Sequence, residues 1–212
     1  MAKGYALVEG HGETLAVENL LSRLWADLGP LYMFWETLRW LKLDRDYGVG
    51  KGCEYIRRKG DADALLVIRD EDDRCPRTTG PETAGWIEAL DLPFPAAAVL
   101  MHREYEVLFL PCLDQMPGAL LEDRFQRRRP GLRDEARFEG DPEEIRGVKE
   151  WLSKRFVAGR SYKPTLDQLP LTRMIDFEVL RAAELPCFGT LERALAFLGG
   201  HLGSHAVYPP PA

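Results

Sequence analysis

The chain has 212 residues, 45% hydrophobic and 29% charged, with a formal net charge of −6: enough for one compact domain, and no global attraction for nucleic acid, although local basic stretches can supply one. No stretch approaches the roughly 18 apolar residues that span a bilayer, and the opening MAKGYALVEG carries no long apolar run, so neither a membrane span nor a signal peptide is expected. Cys53, Cys75, Cys112 and Cys187 are far apart and form no CxxC pair, which argues against zinc and suits reduced thiols in the cytoplasm.

In chain order, YALV at 5–8 predicts a buried strand closed by Glu9 and Gly10. Residues 14–28 predict a helix: Val17, Leu20, Leu21, Leu24, Trp25 and Leu28 keep the i, i+3, i+4 rhythm, and Gly29-Pro30 stops it. The aromatic stretch 33–43 fits strand or helix, and a strand at 36–41 is favoured. GVGKG at 48–52 reads as a glycine-rich loop leading into a helix at 53–59. ALLVI at 64–68 is the clearest strand. A loop at 74–80, a helix at 81–90 and a strand at 97–101 follow. EYEVLFLPCLD, from Glu104, fits either strand or helix.

Residues 114–140 read as an irregular, charged excursion around Arg127, Arg128 and Arg129. Asp141-Pro142-Glu143-Glu144 has helix-start chemistry: an N-cap aspartate, proline at the first position and glutamate at the third. The helix behind it would carry Ile145, Val148, Trp151, Leu152 and Phe156. Helices at 171–183 and 190–202 precede a loose, proline-rich tail from Val207. Strand–helix alternation predicts an α/β fold, a mostly parallel sheet flanked by helices. The core would span 1–115, the excursion 116–140 and a helical portion packed on the core 141–212.

The chemistry concentrates where two apolar runs end in carboxylates: YALV into Glu9-Gly10-His11-Gly12-Glu13, and ALLVI into Arg69-Asp70-Glu71-Asp72-Asp73. Strand ends at the carboxyl edge of a parallel sheet are where ligands bind. Converging carboxylates repel one another unless a hard cation such as Mg²⁺ sits between them. In a D-x-D, Asp70 and Asp72 point the same way and can share one cation, whereas Glu71 and Asp73 point elsewhere. A capped helix start and a solvated acidic turn are the bland alternatives. Glu104 and Glu106 share a face if extended; if helical, only one faces the site, and an ion pair with Arg103 or Arg57 is the competing role.

Lys163 reads by spacing as a surface lysine, or as a group that steadies phosphate charge. His11 and His102 are acid/base candidates or structural residues. Lys51 in the glycine-rich loop lacks the GK[ST] of a P-loop, so a turn is the simpler reading. Arg127 to Arg129 could meet a nucleic-acid backbone or form an exposed basic loop. Cys75 and Cys112 are expected to pack.

VEGHGE at 8–13, DEDD at 70–73, EYEVLFL at 104–110 and YKPT at 162–165, in that order, resemble the TOPRIM superfamily of topoisomerases, primases and OLD-type nucleases. The finer resemblance is to a small TOPRIM-like family often encoded beside an ABC-type ATPase. The resemblance implies a Mg²⁺ or Mn²⁺ site on Glu9, Asp70 and Asp72, with Glu13 and Glu106 as second-metal ligands and Lys163 stabilising charge. It implies a metal-dependent nuclease in an ATPase-coupled antiviral defence or DNA-processing system, acting on DNA or RNA. A non-catalytic regulatory subunit of the ATPase is the alternative; primase-type transfer is disfavoured because no accessory elements are visible. The charged Asp73-Arg74-Cys75-Pro76 and the Arg-rich stretch 124–133 depart from the family pattern.

Overall fold

The computed structural model of the chain describes residues 2–28 and 32–211. It is an α/β fold. Strands β1 (Ala2–Val8), β2 (Met33–Arg39), β3 (Ala64–Asp70), β4 (Ala96–Met101) and β7 (Val207–Tyr208) form one sheet in the order β2-β1-β3-β4-β7. Every pairing in it is parallel.

Helix α1 (Glu13–Leu28) joins β1 to β2, α2 (Asp46–Lys59) joins β2 to β3, and α3 (Pro76–Glu88) joins β3 to β4. The chain moves one way from β1 to β2 and the other way from β3 to β4. The handedness of parallel crossovers then requires α1 on one face and α2 with α3 on the other. Packing agrees: Ala6, Val8, Leu66, Ile68 and Val99 share a core with α1. Tyr5, Leu7, Leu65 and Val67 share the second core with Val49, Cys53, Ile56 and Ile87. Neighbours β1 and β3 therefore send their following loops to opposite faces, and a crevice opens at their carboxyl ends.

The strands arise where the apolar runs are, with β2 beginning three residues before the favoured stretch. Several sequence expectations are corrected. Gly48 and Gly52 lie inside α2, not in a loop, because tertiary contact demands their bareness. A methyl on Gly48 would lie 1.9 Å from the Lys42 carbonyl oxygen, and one on Gly52 would lie 2.6 Å from Leu7. Helix α3 begins at Pro76 rather than Pro81, since the Cys75 carbonyl accepts from the Thr78 and Thr79 N–H groups at 3.0 and 3.1 Å. Asp141 does cap its turn, accepting from Glu143 N at 2.8 Å. Gly147 then turns left-handed (φ 68°), and the helix restarts as the short α4 (Val148–Ser153).

The EYEVLFL segment is a 3-10 turn (Tyr105–Phe109). The charged excursion contains a hairpin of β5 (Leu120–Glu122) and β6 (Arg128–Pro130). Asp123 knots it by pairing with Arg127 and Arg129 at 2.8 and 2.9 Å, and Glu122 takes Arg128. The helix expected at 171–183 is divided into α5 (Leu169–Arg173) and α6 (Phe177–Ala182), the second capped by Asp176. Helix α7 (Pro186–Gly200) follows, and the tail is pinned as β7 on β4. The Gly29-Pro30 stop and Ala212 lie outside the described residues. Among the described residues, no helix is long and apolar enough to cross a membrane.

Candidate functional site

Asp70 ends β3 on the α1 side of the sheet, in register with Met101 of β4. Its Oδ1 accepts from Tyr105 N at 2.8 Å, so the 3-10 turn after β4 is fastened to the end of β3. That turn buries Glu106 completely and brings Glu104 alongside. Glu13, in the first turn of α1, is buried at the same edge. The helical alternative for EYEVLFL thus holds, yet both of its glutamates reach one partner.

That partner is Lys149 of α4. Its Nζ lies 3.5 Å from Asp70 Oδ2, 3.1 Å from Glu104 Oε1 and 3.4 Å from Glu106 Oε2. The Glu104 Oε2 also accepts from Lys149 N at 3.2 Å. Tyr162 OH donates to Glu106 Oε1 at 2.8 Å, and Gln168 Nε2 donates to the same oxygen at 3.3 Å. The remaining Glu106 oxygen, Oε2, is buried and faces the Lys149 ammonium alone. A turn of π-helix (Pro164–Gln168) supplies Gln168 and presses on the β1–α1 loop, where a methyl on Gly12 would lie 2.5 Å from the Pro164 carbonyl oxygen.

The electrostatics are those of too many carboxylates for one cation. Burial pushes the Glu106 carboxyl up to about 7, against the pull of Lys149 and Tyr162. Burial likewise raises Asp70 well above the usual carboxylate range; Lys149 pulls it back, and Glu13 and Glu106 push it further up. Glu13 is raised by burial, which outweighs the Gly10 N–H and Lys149. For Lys149 burial works to lower the ammonium, but Glu106, Asp70 and Glu104 together hold it above its ordinary value.

The other residues singled out in the sequence lie around this cluster. Glu9 follows Tyr5 and Leu7 onto the α2 side, where its Oε1 accepts from Leu43 N at 3.0 Å. Its carboxyl is raised, first by burial and then by Asp44 and Glu13, while Leu43 N and Arg69 pull it down. Asp72 is exposed, and its carboxyl is raised by burial and by Glu104. Lys163 is exposed; among the described residues its side chain meets none of the carboxylates, and it is Tyr162 of the YKPT segment that reaches Glu106. His11 is exposed, and His102 pairs with Glu143 at 3.4 Å. Glu71 forms a buried pair with Arg69 at 2.9 Å.

The donor set is entirely carboxylate oxygen, which suits a hard cation such as Mg²⁺ or Mn²⁺. The surplus of negative charge over Lys149, whose one ammonium is shared by Asp70, Glu104 and Glu106, fits such an ion chemically. The carboxylates are nonetheless drawn around the Lys149 ammonium: among the described residues, no group of three or more His, Cys, Asp or Glu is gathered as a ready metal cage.

Sequence reasoning missed Lys149, Tyr162 and Gln168. Lys149 looks in the sequence like one of many polar residues on a helix face, and only the fold brings it beneath Asp70.

The chain belongs to the family described as a domain of unknown function, DUF4276, whose model matches residues 8–196. That span includes every carboxylate of the cluster together with Lys149. No curated protein and no solved structure matches the chain.

Proposed function

We propose that this protein is a Mg²⁺- or Mn²⁺-dependent nuclease of the TOPRIM/OLD type, the phosphodiester-cleaving effector of an ABC-type ATPase-coupled defence or DNA-processing system in the cytoplasm. One observation carries the reading. Asp70, Glu104 and Glu106 share one ammonium at the switch point of a parallel sheet, with Glu13 buried at the same edge, an excess of carboxylate from which folding alone gains nothing. The free state of all four cysteines suits a reducing compartment.

Asp70, Glu13 and Glu106 would hold the cation, with Glu9 and Asp72 at the rim. Bound there, it supplies charge neutralisation at the scissile phosphate. Tyr162 and Gln168 orient the Glu106 carboxylate. Lys149 offers the developing negative charge of the phosphoryl group a nearby ammonium. Tyr105 N keeps Asp70 aimed into the crevice.

Lys149 also favours a second reading. Its three ion pairs already quench the cluster, as would suit a regulatory subunit that docks on an ATPase without turnover. Cleavage of single- and double-stranded DNA and RNA with Mg²⁺ and Mn²⁺, with and without an ABC-type ATPase, separates the two. The nuclease reading expects cleavage by the wild type and none by the Asp70→Ala, Asp72→Ala double variant with its fold intact. It fails if the wild type cleaves nothing, or if the double variant cleaves equally well.

A further inference from the structure

Helix α2 buries Val49, Gly52, Cys53 and Ile56 against the sheet. Its opposite face is unusual for a solvated surface. Tyr47, Lys51, Tyr55 and Lys59 recur at four-residue intervals and so form one stripe alternating ring and cation. Tyr47 and Tyr55 are 47% and 46% exposed, large aromatic area that folding leaves in water. Lysines attend the rings: Lys42 and Lys51 lie 5.4 and 5.9 Å from the Tyr47 centroid, and Lys59 lies 5.9 Å from that of Tyr55. Trp40 lies against Tyr55 at 5.4 Å between centroids.

The charges on this face are unevenly committed. Asp44 pairs with Arg45, Glu54 with Arg57, and Glu36 with Lys3 and Lys59. Among the described residues neither Lys42 nor Lys51 is in an ion pair, so both can turn to an anion, Lys42 by leaving the Tyr47 hydroxyl. Of the described acids beside the first ring, the exposed Asp46, whose carboxylate accepts from Tyr47 N, is the one likewise outside any ion pair. The stripe also has a direction. The turn before α2 is tied to the end of β1 by Trp40 N to Val8 O at 2.7 Å and Leu43 N to Glu9 Oε1 at 3.0 Å. It therefore starts at the edge where the carboxylates gather and runs away for about 18 Å, at 1.5 Å per residue.

We propose that the Tyr47–Lys59 face of α2 is a binding track for single-stranded nucleic acid, with bases stacked on Tyr47 and Tyr55 and the phosphate backbone held by Lys42 and Lys51. Rings eight residues apart stand about 12 Å from each other along the helix, with Lys51 between them. Stacking needs unpaired bases, because a duplex hides their faces, so the track selects single strands. A partner helix fits less well: lysines interrupt the apolar stripe, and lysine is depleted from protein interface cores. The inference names the substrate form for the proposed phosphodiester site and rests on that reading only for its consequence in cleavage.

The test is binding without metal. Fluorescence anisotropy of labelled oligothymidylate and oligouridylate, in EDTA, is compared with a duplex of equal length. The wild type binds a single strand more tightly than the duplex. Tyr47→Ala and Tyr55→Ala each weaken binding by about five- to a hundredfold, while Tyr→Phe at the same positions retains it. Lys42→Ala and Lys51→Ala each lower the salt dependence by about one unit of slope. All four positions are on the surface, and circular dichroism checks the fold.

Absent or duplex-preferring binding, or tyrosine variants that bind like the wild type, overturns the track. So does a self-association seen by sedimentation that the tyrosine variants abolish, which would assign the face to a second copy of the chain. Strand binding without cleavage removes the nuclease reading and leaves the track; cleavage unaffected by the tyrosine variants does the reverse.

Discussion

The carboxyl edge of the sheet handles charge in two ways on its two faces. On the α2 side, Arg69 and Glu71 form a one-to-one pair at 2.9 Å, with side chains 3% and 8% exposed. Glu71 also accepts from Arg74 N. On the α1 side, Asp70, Glu104 and Glu106 share the single ammonium of Lys149, with Glu13 close by. The strand that carries Arg69 and Asp70 thus points one residue into a balanced structural pair and the next into an unbalanced cluster. A balanced buried pair is what a fold keeps for itself. Burial raises these carboxylates, neighbouring carboxylates push Asp70 and Glu106 further, and the imbalance marks the α1 side as the place where a further cation gains most.

The two sides should respond differently to substitution and to pH. Arg69→Met leaves Glu71 buried and unpaired, and should cost about 3–5 kcal/mol in urea unfolding. Adding Mn²⁺ should not restore it.

The second difference is a pH dependence. Glu106 has its folded-state value raised to about 7 from an ordinary 4.5. Between those values the folded state holds a proton that the unfolded chain has lost. Stability must therefore fall as pH rises through this window and level off above it, by at most about 3 kcal/mol from this residue. The raised Asp70 acts in the same direction. Lys149, raised above its ordinary value by these carboxylates, keeps its own proton throughout the window and loses it only in strong alkali. Glu106→Gln should flatten the fall, as read from unfolding midpoints across the window. A profile that rises with pH, or a variant with an unchanged slope, would contradict the assignment.

The smallest effect is expected for Lys149→Met. Its side chain is 32% exposed and its carboxylate partners can take up protons, so the loss should be about 1–3 kcal/mol. It should be greater at higher pH, where the carboxylates are ionised, and divalent metal should offset it.

Much of the fold was legible because its signals are local. YALV, ALLVI and the run at 97–101 are apolar runs too short for a helix, and Leu20, Leu21 and Leu24 keep helical period. Elements misread in the sequence depend on distant contacts. Gly48 and Gly52 look like loop residues until the Lys42 carbonyl and Leu7 require their bareness inside a helix. The Asp141 cap is real, but Glu143 is drawn away to Cys187 N and His102, and the turn does not propagate.

The candidate site shows the same division. Asp70 could be named from its strand end and the D-x-D spacing, because a carboxylate after a buried strand is visible in sequence. Glu13 and Glu106 are reached as ligands only through the family resemblance. Lys149, Tyr162 and Gln168 could not be named. They come from the C-terminal third and reach the crevice only through the packing of α4 and the π-helical turn.

Whether the α1 side of the sheet edge takes a divalent cation is decided by calorimetric titration with Mn²⁺ above pH 7, where the Glu106 carboxyl, raised to about 7, is ionised. The wild type should bind Mn²⁺, and Asp70→Asn should weaken binding by at least about tenfold. A wild type that binds no Mn²⁺, or an Asp70→Asn variant that binds it equally well, would contradict the account.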